Sequence, residues 1–217
     1  MSSSVINTFL SFILQTWYIW ALIICFAILK LFVPIIKGAL GEFTVRIALR
    51  ALNPKEYTVI HDVIVEANER LTQIDHIVVA KTGIYVIETK NYKGLITGYE
   101  NAATWTQHLH KKKINFHNPI RQNYGHIKSL STVLNLPESK FISIIAFDPD
   151  ATVKVQTSTP VLYYSMLAKS ISGSTSEILT QEEKDQIETK IIDIKQSNKK
   201  LRKKHIEQIK KRTAVGS

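Results

Sequence analysis

The segment QIDHIVVAKTGIYVIETK, residues 73–90, decides the fold because it has the pattern of a β-hairpin. Valine, isoleucine and tyrosine dominate both halves, and the connection AKTG between them ends on glycine, which adopts a positive φ at little cost. If this connection closes the hairpin, Val79 pairs with Ile84, and counting outward places Asp75 opposite Glu88. Directly opposed residues share a face of the sheet, with Cβ atoms about 4.5–5.5 Å apart. The sequence therefore predicts that two carboxylates meet at the open end of the hairpin.

Lys90 lies two residues beyond Glu88 and is predicted to share its face. Two ionised carboxylates that close together repel each other, and a cation between them removes the repulsion. Hard oxygen ligands select Mg²⁺ or Mn²⁺, which polarises a phosphodiester, while a lysine stabilises the charge that develops on phosphorus. By pairing geometry alone, an ordinary surface ion pair of Lys90 with Asp75 or Glu88 fits the pattern equally well.

The segments around the hairpin predict an α/β fold. We expect helices at 41–52, from Asn118-Pro119 to about 134, and after the capping box Thr180–Glu183; strands at 57–65 and 141–147; and shorter strands within 95–109 around Trp105. The order helix, three strands, helix, strand is that of an α/β sandwich built on a mixed sheet.

The N-terminal segment is apolar and precedes every charged residue. Residues 9–29 contain no charged side chain, and the first one is Lys30. A helix of about 20 residues crosses a bilayer, so this segment predicts a single transmembrane anchor. Positive charges follow the segment instead of preceding it, which argues against a cleaved signal peptide and places the remainder in the cytoplasm. A buried helix of a soluble domain is the alternative.

The charge distribution favours polyanionic partners. The formal net charge is +10, and residues 195–212 hold nine lysines or arginines and one acid, Glu207. Nucleic acid and anionic lipid headgroups are both compatible with this basic tail. The single cysteine, Cys25, excludes a disulfide framework and a cysteine-based zinc site.

Several blocks together resemble the nuclease-related domain family, NERD. They are Gly41-Glu42, residues 73–76, residues 83–94, Trp105, and residues 118–123 with His126, and they cover about residues 38–135. The family is assigned to the PD-(D/E)xK nuclease superfamily and often occurs with membrane segments. The resemblance implies a restriction-endonuclease-like core, a mixed β-sheet flanked by helices, preceded here by the transmembrane helix. We divide the chain into an anchor (1–36), the nuclease-related domain (37–165), a helical extension (166–194) and a basic tail (195–217).

The resemblance also implies roles for individual residues. Asp75 and Glu88 would be metal ligands, Lys90 the catalytic lysine, Glu42 an auxiliary acid that binds or positions the metal, and Gln122 a polar residue that helps to hold the site or the phosphate. The implied activity is Mg²⁺- or Mn²⁺-dependent cleavage of nucleic acid, DNA before RNA. A membrane-tethered module that binds nucleic acid without turnover is the alternative.

Other polar residues receive weaker assignments. The loop residues Lys111, Lys112 and Lys113 could grip phosphates or be a solvated turn. His76 alternates away from Asp75 and is expected to be structural. Among the remaining histidines only His126 is kept as a candidate, since it lies one helical turn beyond Gln122.

Overall fold

The computed structural model describes residues 3–197. Its helices are α1 (Ser3–Leu49), α2 (Pro119–Leu134), α3 (Leu167–Ser172) and α4, described over 181–197. Its strands are β1 (Thr58–Ala67), β2 (Arg70–Ala80), β3 (Gly83–Lys90), β4 (Gly94–Tyr99), β5 (Thr104–Leu109), β6 (Lys112–His117), β7 (Phe141–Phe147), β8 (Ala151–Gln156) and β9 (Val161–Tyr163). The predicted mixed α/β fold is confirmed.

The hairpin of β2 and β3 has the predicted register. Val79 pairs with Ile84, and Ala80 with Gly83, so that the loop proper is two residues long. β1 extends this antiparallel pair on one side, and β7 and β9 extend it in parallel on the other, in the order β1-β2-β3-β7-β9. Glu88 and Lys90 thus lie at the end of a central strand, between β2 and β7.

A second, four-stranded sheet was not predicted as a separate unit. Its order is β6-β5-β4-β8. β3 is followed along the chain by β4, and β7 is followed by β8. β3 pairs with β7 in the first sheet and β4 pairs with β8 in the second, and both of these pairs are parallel. Gly94 begins β4 at φ +77°, where a Cβ would lie 2.5 Å from the His108 carbonyl oxygen, so only glycine fits this crossing point. The crossing ends β3 directly after Lys90 and leaves the site residues at the end of this central strand.

Helices pack on both faces of the first sheet. Ile77, Val79, Ile84 and Val86 form a core with Ile127, Leu130 and Leu134 of α2 and with Ile187 and Ile191 of α4. Val78, Ala80, Tyr85 and Ile87 pack on the other face with Val45 and Leu49 of α1 and Leu167 of α3. The alternation along β2 and β3 therefore sends neighbouring residues to opposite helical layers, as the hairpin pattern predicted.

α2 and α4 begin as their sequences predict. The Asn118 side chain accepts a hydrogen bond from the Ile120 backbone N–H at 2.9 Å, and Pro119 occupies the first helical position. At α4, the Glu183 backbone N–H donates to Thr180 Oγ1 and the Thr180 N–H donates to Glu183 Oε2, which is the reciprocal capping box. Trp105 is fully buried and stacks with Phe147 at a centroid distance of 6.2 Å, so it is a core residue.

The chain divides into two compact units, one ending at Leu40 and one starting at Gly41. In the first unit, Trp17, Leu22 and Phe26 are among many exposed apolar side chains. Within residues 3–197, however, no helix reaches the combination of length and apolar character that crossing a bilayer requires, and the predicted transmembrane helix is not supported. Most of the predicted basic tail, residues 198–217, lies outside the described residues.

Candidate active site

Lys90 is held between a carboxylate and an amide at the end of β3. Its Nζ donates to Glu88 Oε1 at 2.5 Å and to Gln122 Oε1 of α2 at 3.0 Å. The Glu88 side chain is 2% exposed and the Lys90 side chain 15% exposed, so the pair is largely desolvated while the ammonium keeps some access to solvent. Alternation along β3 puts both side chains on the face that α2 covers. The ammonium is held in place at the end of the central strand β3.

His126 binds the second oxygen of the same carboxylate. Its Nε2 lies 3.1 Å from Glu88 Oε2, and its Nδ1 lies 2.8 Å from Thr72 Oγ1 of β2. An ionised carboxylate only accepts hydrogen bonds, so Nε2 donates to Glu88, and in the neutral ring Nδ1 accepts from the threonine hydroxyl. Both carboxylate oxygens of Glu88 are therefore occupied by protein donors.

Asp75 reaches the end of β3 through Thr89. Its Oδ2 accepts from the Thr89 backbone N–H at 2.9 Å and from Thr89 Oγ1 at 2.8 Å. The ladder of β2 and β3 ends at His76 and Ile87, so the Asp75 carboxylate satisfies a backbone group just beyond the paired residues. In β1, Asp62 interrupts the pairing opposite Asp75 and has φ +56°. Asp75 thus lies at an irregularity in the sheet.

Burial and charge move the pKa values of the two carboxyls in opposite directions. Burial, followed by the charge of Glu88, raises the pKa of Asp75 against the Thr89 hydrogen bonds and Lys90. Burial alone would raise the pKa of Glu88, but the His126 hydrogen bond and the Lys90 ammonium outweigh it and hold that pKa below its ordinary value. The two carboxylates are close enough to interact, and added positive charge would favour ionised Asp75.

Comparison with known proteins identifies the family of this chain. Residues 37–148 match the family described as nuclease-related domain, NERD. The chain belongs to the NERD family. NERD is part of the PD-(D/E)xK nuclease superfamily.

Two individual proteins are similar to this NERD chain. An uncharacterized protein of Bacillus anthracis is 41% identical over 185 residues, which cover 83% of this chain and 87% of the relative. The crystal structure of a protein of unknown function, AF1548, shows 16% identity at a TM-score of 0.30 and covers 81% of this chain and 99% of that chain. A likeness this low carries no argument about fold or function.

The auxiliary acid implied by the NERD resemblance lies near the end of β3. A Cβ on Gly41 would lie 2.8 Å from Asn91 Nδ2, so the helix backbone touches the residue after Lys90 and requires glycine there. Glu42 follows Gly41 and is exposed. Within the described residues, no three His, Cys, Asp or Glu side chains are grouped so that they could hold a metal ion, and Glu42 does not complete such a group with Asp75 and Glu88.

The three candidate phosphate-binding lysines lie on the second sheet. Lys111 is in the turn between β5 and β6, and Lys112 and Lys113 begin β6; all three are exposed. β6 is an edge strand, and Lys113 pairs with His108 of β5. Among the described residues, none of the side-chain hydrogen bonds of Glu88, Lys90 and Gln122 involves these lysines, so their role in binding phosphate stays a prediction.

Two residues that contact the NERD site, Thr89 and Thr72, were not predicted from the sequence. Thr89 had no sequence signal beyond its position inside ExK, because its role depends on its backbone N–H. Thr72 had none because its hydroxyl acts only through the ring of His126. The position of His126 one turn beyond Gln122 was the signal that pointed to the site. His76 lies away from it, with Nδ1 2.7 Å from His61 Nδ1, as expected of a structural residue.

Proposed function

We propose that this NERD domain is a divalent-metal-dependent nuclease that hydrolyses phosphodiester bonds of nucleic acid, with DNA the first substrate to test. The observation that carries the proposal is the Lys90 ammonium, held by Glu88 and Gln122 beside a second carboxylate, Asp75. A fixed ammonium beside two carboxylates suits a reaction in which negative charge develops on a phosphate.

The donor set fits Mg²⁺ or Mn²⁺. Asp75 and Glu88 supply hard carboxylate oxygens, and their mutual repulsion contributes to the raised pKa of Asp75, which a bound cation would reverse. Mg²⁺ is commonly bound through only one or two carboxylates, with water and substrate phosphate completing its shell. The absence of a three-residue cluster among the described residues is compatible with that mode.

Each residue then has a distinct role. Asp75 and Glu88 would hold the metal, which when bound would polarise the phosphodiester and acidify a water molecule. Lys90 would donate a hydrogen bond to the charge that develops on the phosphate, and Gln122 would fix the direction of its ammonium. His126 holds the Glu88 carboxylate in position, so it is a positioning residue.

A direct assay tests the proposal. The full-length chain is incubated with linear duplex, circular duplex and single-stranded DNA, and with RNA, in Mg²⁺, in Mn²⁺ and in EDTA. We expect cleavage in the metal arms, none in EDTA, and cleavage by Lys90→Ala that is slower by about 100-fold or more in the metal arms. Equal cleavage by Lys90→Ala and the wild type would remove the proposed role of the ammonium.

One observation favours a second function, a nucleic-acid-binding module without turnover. Both oxygens of Glu88 already accept hydrogen bonds, from Lys90 and His126, so the network is satisfied without a metal. Under this alternative, Mg²⁺ would change neither the affinity of the protein for DNA nor the length of the DNA after incubation. Calorimetric titration of Mg²⁺ into the protein separates the two functions, since the nuclease must take up the ion at a site that Glu88→Gln removes.

Membrane attachment and a cytoplasmic position remain predictions from the sequence. They rest on the charge-free residues 9–29 and on the positive charges that follow them. Carbonate extraction of the full-length protein from membranes, combined with a C-terminal reporter, tests both.

A further inference from the structure

A groove with a volume of about 860 Å³ adjoins the candidate site. It lies between the turn that joins β1 to β2 and one side of α2. Thr72, Gln122 and His126 line it, and these residues also contact one another or the Glu88–Lys90 pair. The groove is thus continuous with the polar network around Lys90.

The charged side chains that line this groove are all basic. Arg70, Arg121 and Lys128 line it, and none of the described lining residues is an aspartate or a glutamate. Lys128 is bonded to the Glu138 carboxylate and lies 5.4 Å from the centre of the Tyr124 ring. Arg70 and Arg121 are exposed, and neither forms an ion pair among the described residues. Two unpaired guanidinium groups on one groove suit phosphate, which they bind through paired hydrogen bonds.

A glycine in the middle of α2 leaves the groove open. Gly125 lines it, one turn beyond Arg121 and one turn before Ser129. Glycine in a helix interior costs about 1 kcal/mol relative to alanine, and a Cβ at this position would meet nothing within 4 Å. Packing does not require glycine here. The bare helix backbone does allow a ligand to approach closely.

The groove is poor in aromatic side chains on which bases could stack, since His117 and His126 are the aromatic rings among its described lining residues. No Phe, Tyr or Trp is among the described residues that line it, whereas single-strand binding without sequence preference relies on aromatic side chains as well as positive charge. Arg121 and Lys128 are seven residues apart on α2, about 10 Å, which is the axial rise of about three nucleotides in one duplex strand. The charge of the lining and its lack of Phe, Tyr and Trp favour contacts with a sugar–phosphate backbone.

We propose that the groove binds the phosphate backbone of duplex DNA, independently of sequence, and leads one strand past Gln122 and His126 to Lys90. This inference deepens the proposed function and rests on it for the identity of the ligand. It places the main phosphate contacts at Arg70 and Arg121 and not at Lys111, Lys112 and Lys113.

Binding without turnover tests the charges. Anisotropy of a labelled 20-base-pair duplex is measured with the full-length protein in EDTA, between about 50 and 200 mM NaCl. The double variant Arg70→Gln/Arg121→Gln should bind at least about tenfold more weakly. Its slope of log affinity against log salt should be shallower by about 1.8, since each lost phosphate contact removes about 0.9.

A matched control removes the same two charges elsewhere. Lys154→Gln/Lys169→Gln neutralises exposed lysines of β8 and α3 that do not line the groove. This variant should keep the wild-type slope. If it lost as much slope as the arginine variant, or if only Lys111→Gln/Lys113→Gln lost slope, the groove would not be the binding track.

Gly125 supplies a steric and electrostatic test. Gly125→Ala should keep the melting temperature or raise it, because helix propensity improves and the added methyl group meets no atom. Gly125→Glu should weaken binding more than Gly125→Gln, which has the same shape without the charge. Wild-type affinity in Gly125→Glu would overturn the proposal.

The two proposals fail in different ways. If the wild type never cleaves DNA but the arginine and Gly125 variants lose binding in EDTA, the nuclease function fails and the groove stands. If the wild type cleaves in Mg²⁺ and these variants keep both binding and kcat/KM, the groove fails and the nuclease function stands. If both hold, the variants raise KM and keep kcat at saturating DNA.

Discussion

Asp75 and His76 are consecutive residues of β2, but one belongs to a cluster of charged side chains and the other to a cluster of neutral ones. Asp75 is electrostatically coupled to Glu88, whose ionised form is stabilised by Lys90 and His126. His76 packs against His61, with the ring centroids 4.8 Å apart, and burial lowers the pKa of both rings. The first cluster keeps charge inside the protein by pairing it, while the second excludes charge. Only the first opens into a basic groove, which is why we assign chemistry to it and a structural role to the histidine pair.

The largest effect is expected from Glu88→Gln. The amide is nearly isosteric with the acid but a much poorer ligand for a hard cation, so metal-dependent cleavage should fall to background, a loss of roughly 10³-fold or more. Because Lys90 would lose its carboxylate partner, the free energy of unfolding should fall by about 1–3 kcal/mol, and the fold should survive. Single-turnover assays and thermal melts measure the two effects.

Glu182→Gln is the control for this substitution. Glu182 is an exposed acid of α4 that accepts a hydrogen bond from Gln186 one turn away, so its neutralisation should change neither the rate nor the melting temperature. Cleavage by Glu88→Gln at the wild-type rate would show that the paired-charge cluster is not the active site.

The next largest effect is expected from Lys90→Ala. An ammonium that stabilises charge in the transition state typically contributes 10²–10³-fold to the rate, and a loss of this size in kcat should occur without loss of Mg²⁺ binding. Lys93→Ala is the matched control, since Lys93 is an exposed lysine paired with Asp150 just beyond the end of β3. If both variants lost activity equally, a general charge effect would replace the specific role of Lys90.

His126 should have an intermediate effect. Its Nε2 donor orients Glu88, and loss of such a supporting contact commonly lowers metal affinity or activity 10–100-fold. His126→Leu removes the donor, whereas His126→Gln retains an N–H that can reach Glu88 Oε2. We expect His126→Leu to raise the Mg²⁺ concentration that gives the half-maximal rate. We expect His126→Gln to keep this concentration close to the wild-type value. Equal loss in both variants would indicate that His126 acts through packing alone.

The sequence predicted the part of this comparison that depends on local pattern. The hairpin register follows from residues 73–90, and it places Glu88 and Lys90 on one face of the sheet. The Asn118 cap fixes where α2 begins, and hence the position of Gln122 along the helix. The Thr89 contact of Asp75 could not be predicted because it involves a backbone N–H just beyond the point where the β2–β3 ladder ends, at His76 and Ile87. The second sheet was missed because its strands are short, and most of β6 is exposed, so no buried apolar run marks it.

The smallest effect is a loss of stability at acid pH from the histidine pair. Burial, followed by the charges of Arg46, Lys195 and Arg50, lowers the pKa of His61 from 6.5 to about 4, and burial lowers that of His76 to about 3. Both rings are therefore neutral in the folded protein at pH 7. The unfolded chain takes up protons from about pH 6.5 downward, so the stabilisation is complete above that pH and is lost as the pH falls through the folded pKa values of about 4 for His61 and about 3 for His76.

His61→Gln isolates this contribution from the general repulsion of a chain with net charge +10. Glutamine can still hydrogen-bond to His76 Nδ1 but does not titrate. The free energy of unfolding, measured by urea melts at pH 7.5 and pH 4.5, should fall less in the variant, by an amount on the order of 1–2 kcal/mol after allowance for solvent screening of the half-buried His61. His76 Nε2, which is buried and has no hydrogen-bond partner among the described residues, would have to accept a proton without any group to stabilise it. An identical fall in both proteins would mean that the pair is as tolerant of charge as the Glu88 cluster, and the contrast between the two clusters would disappear.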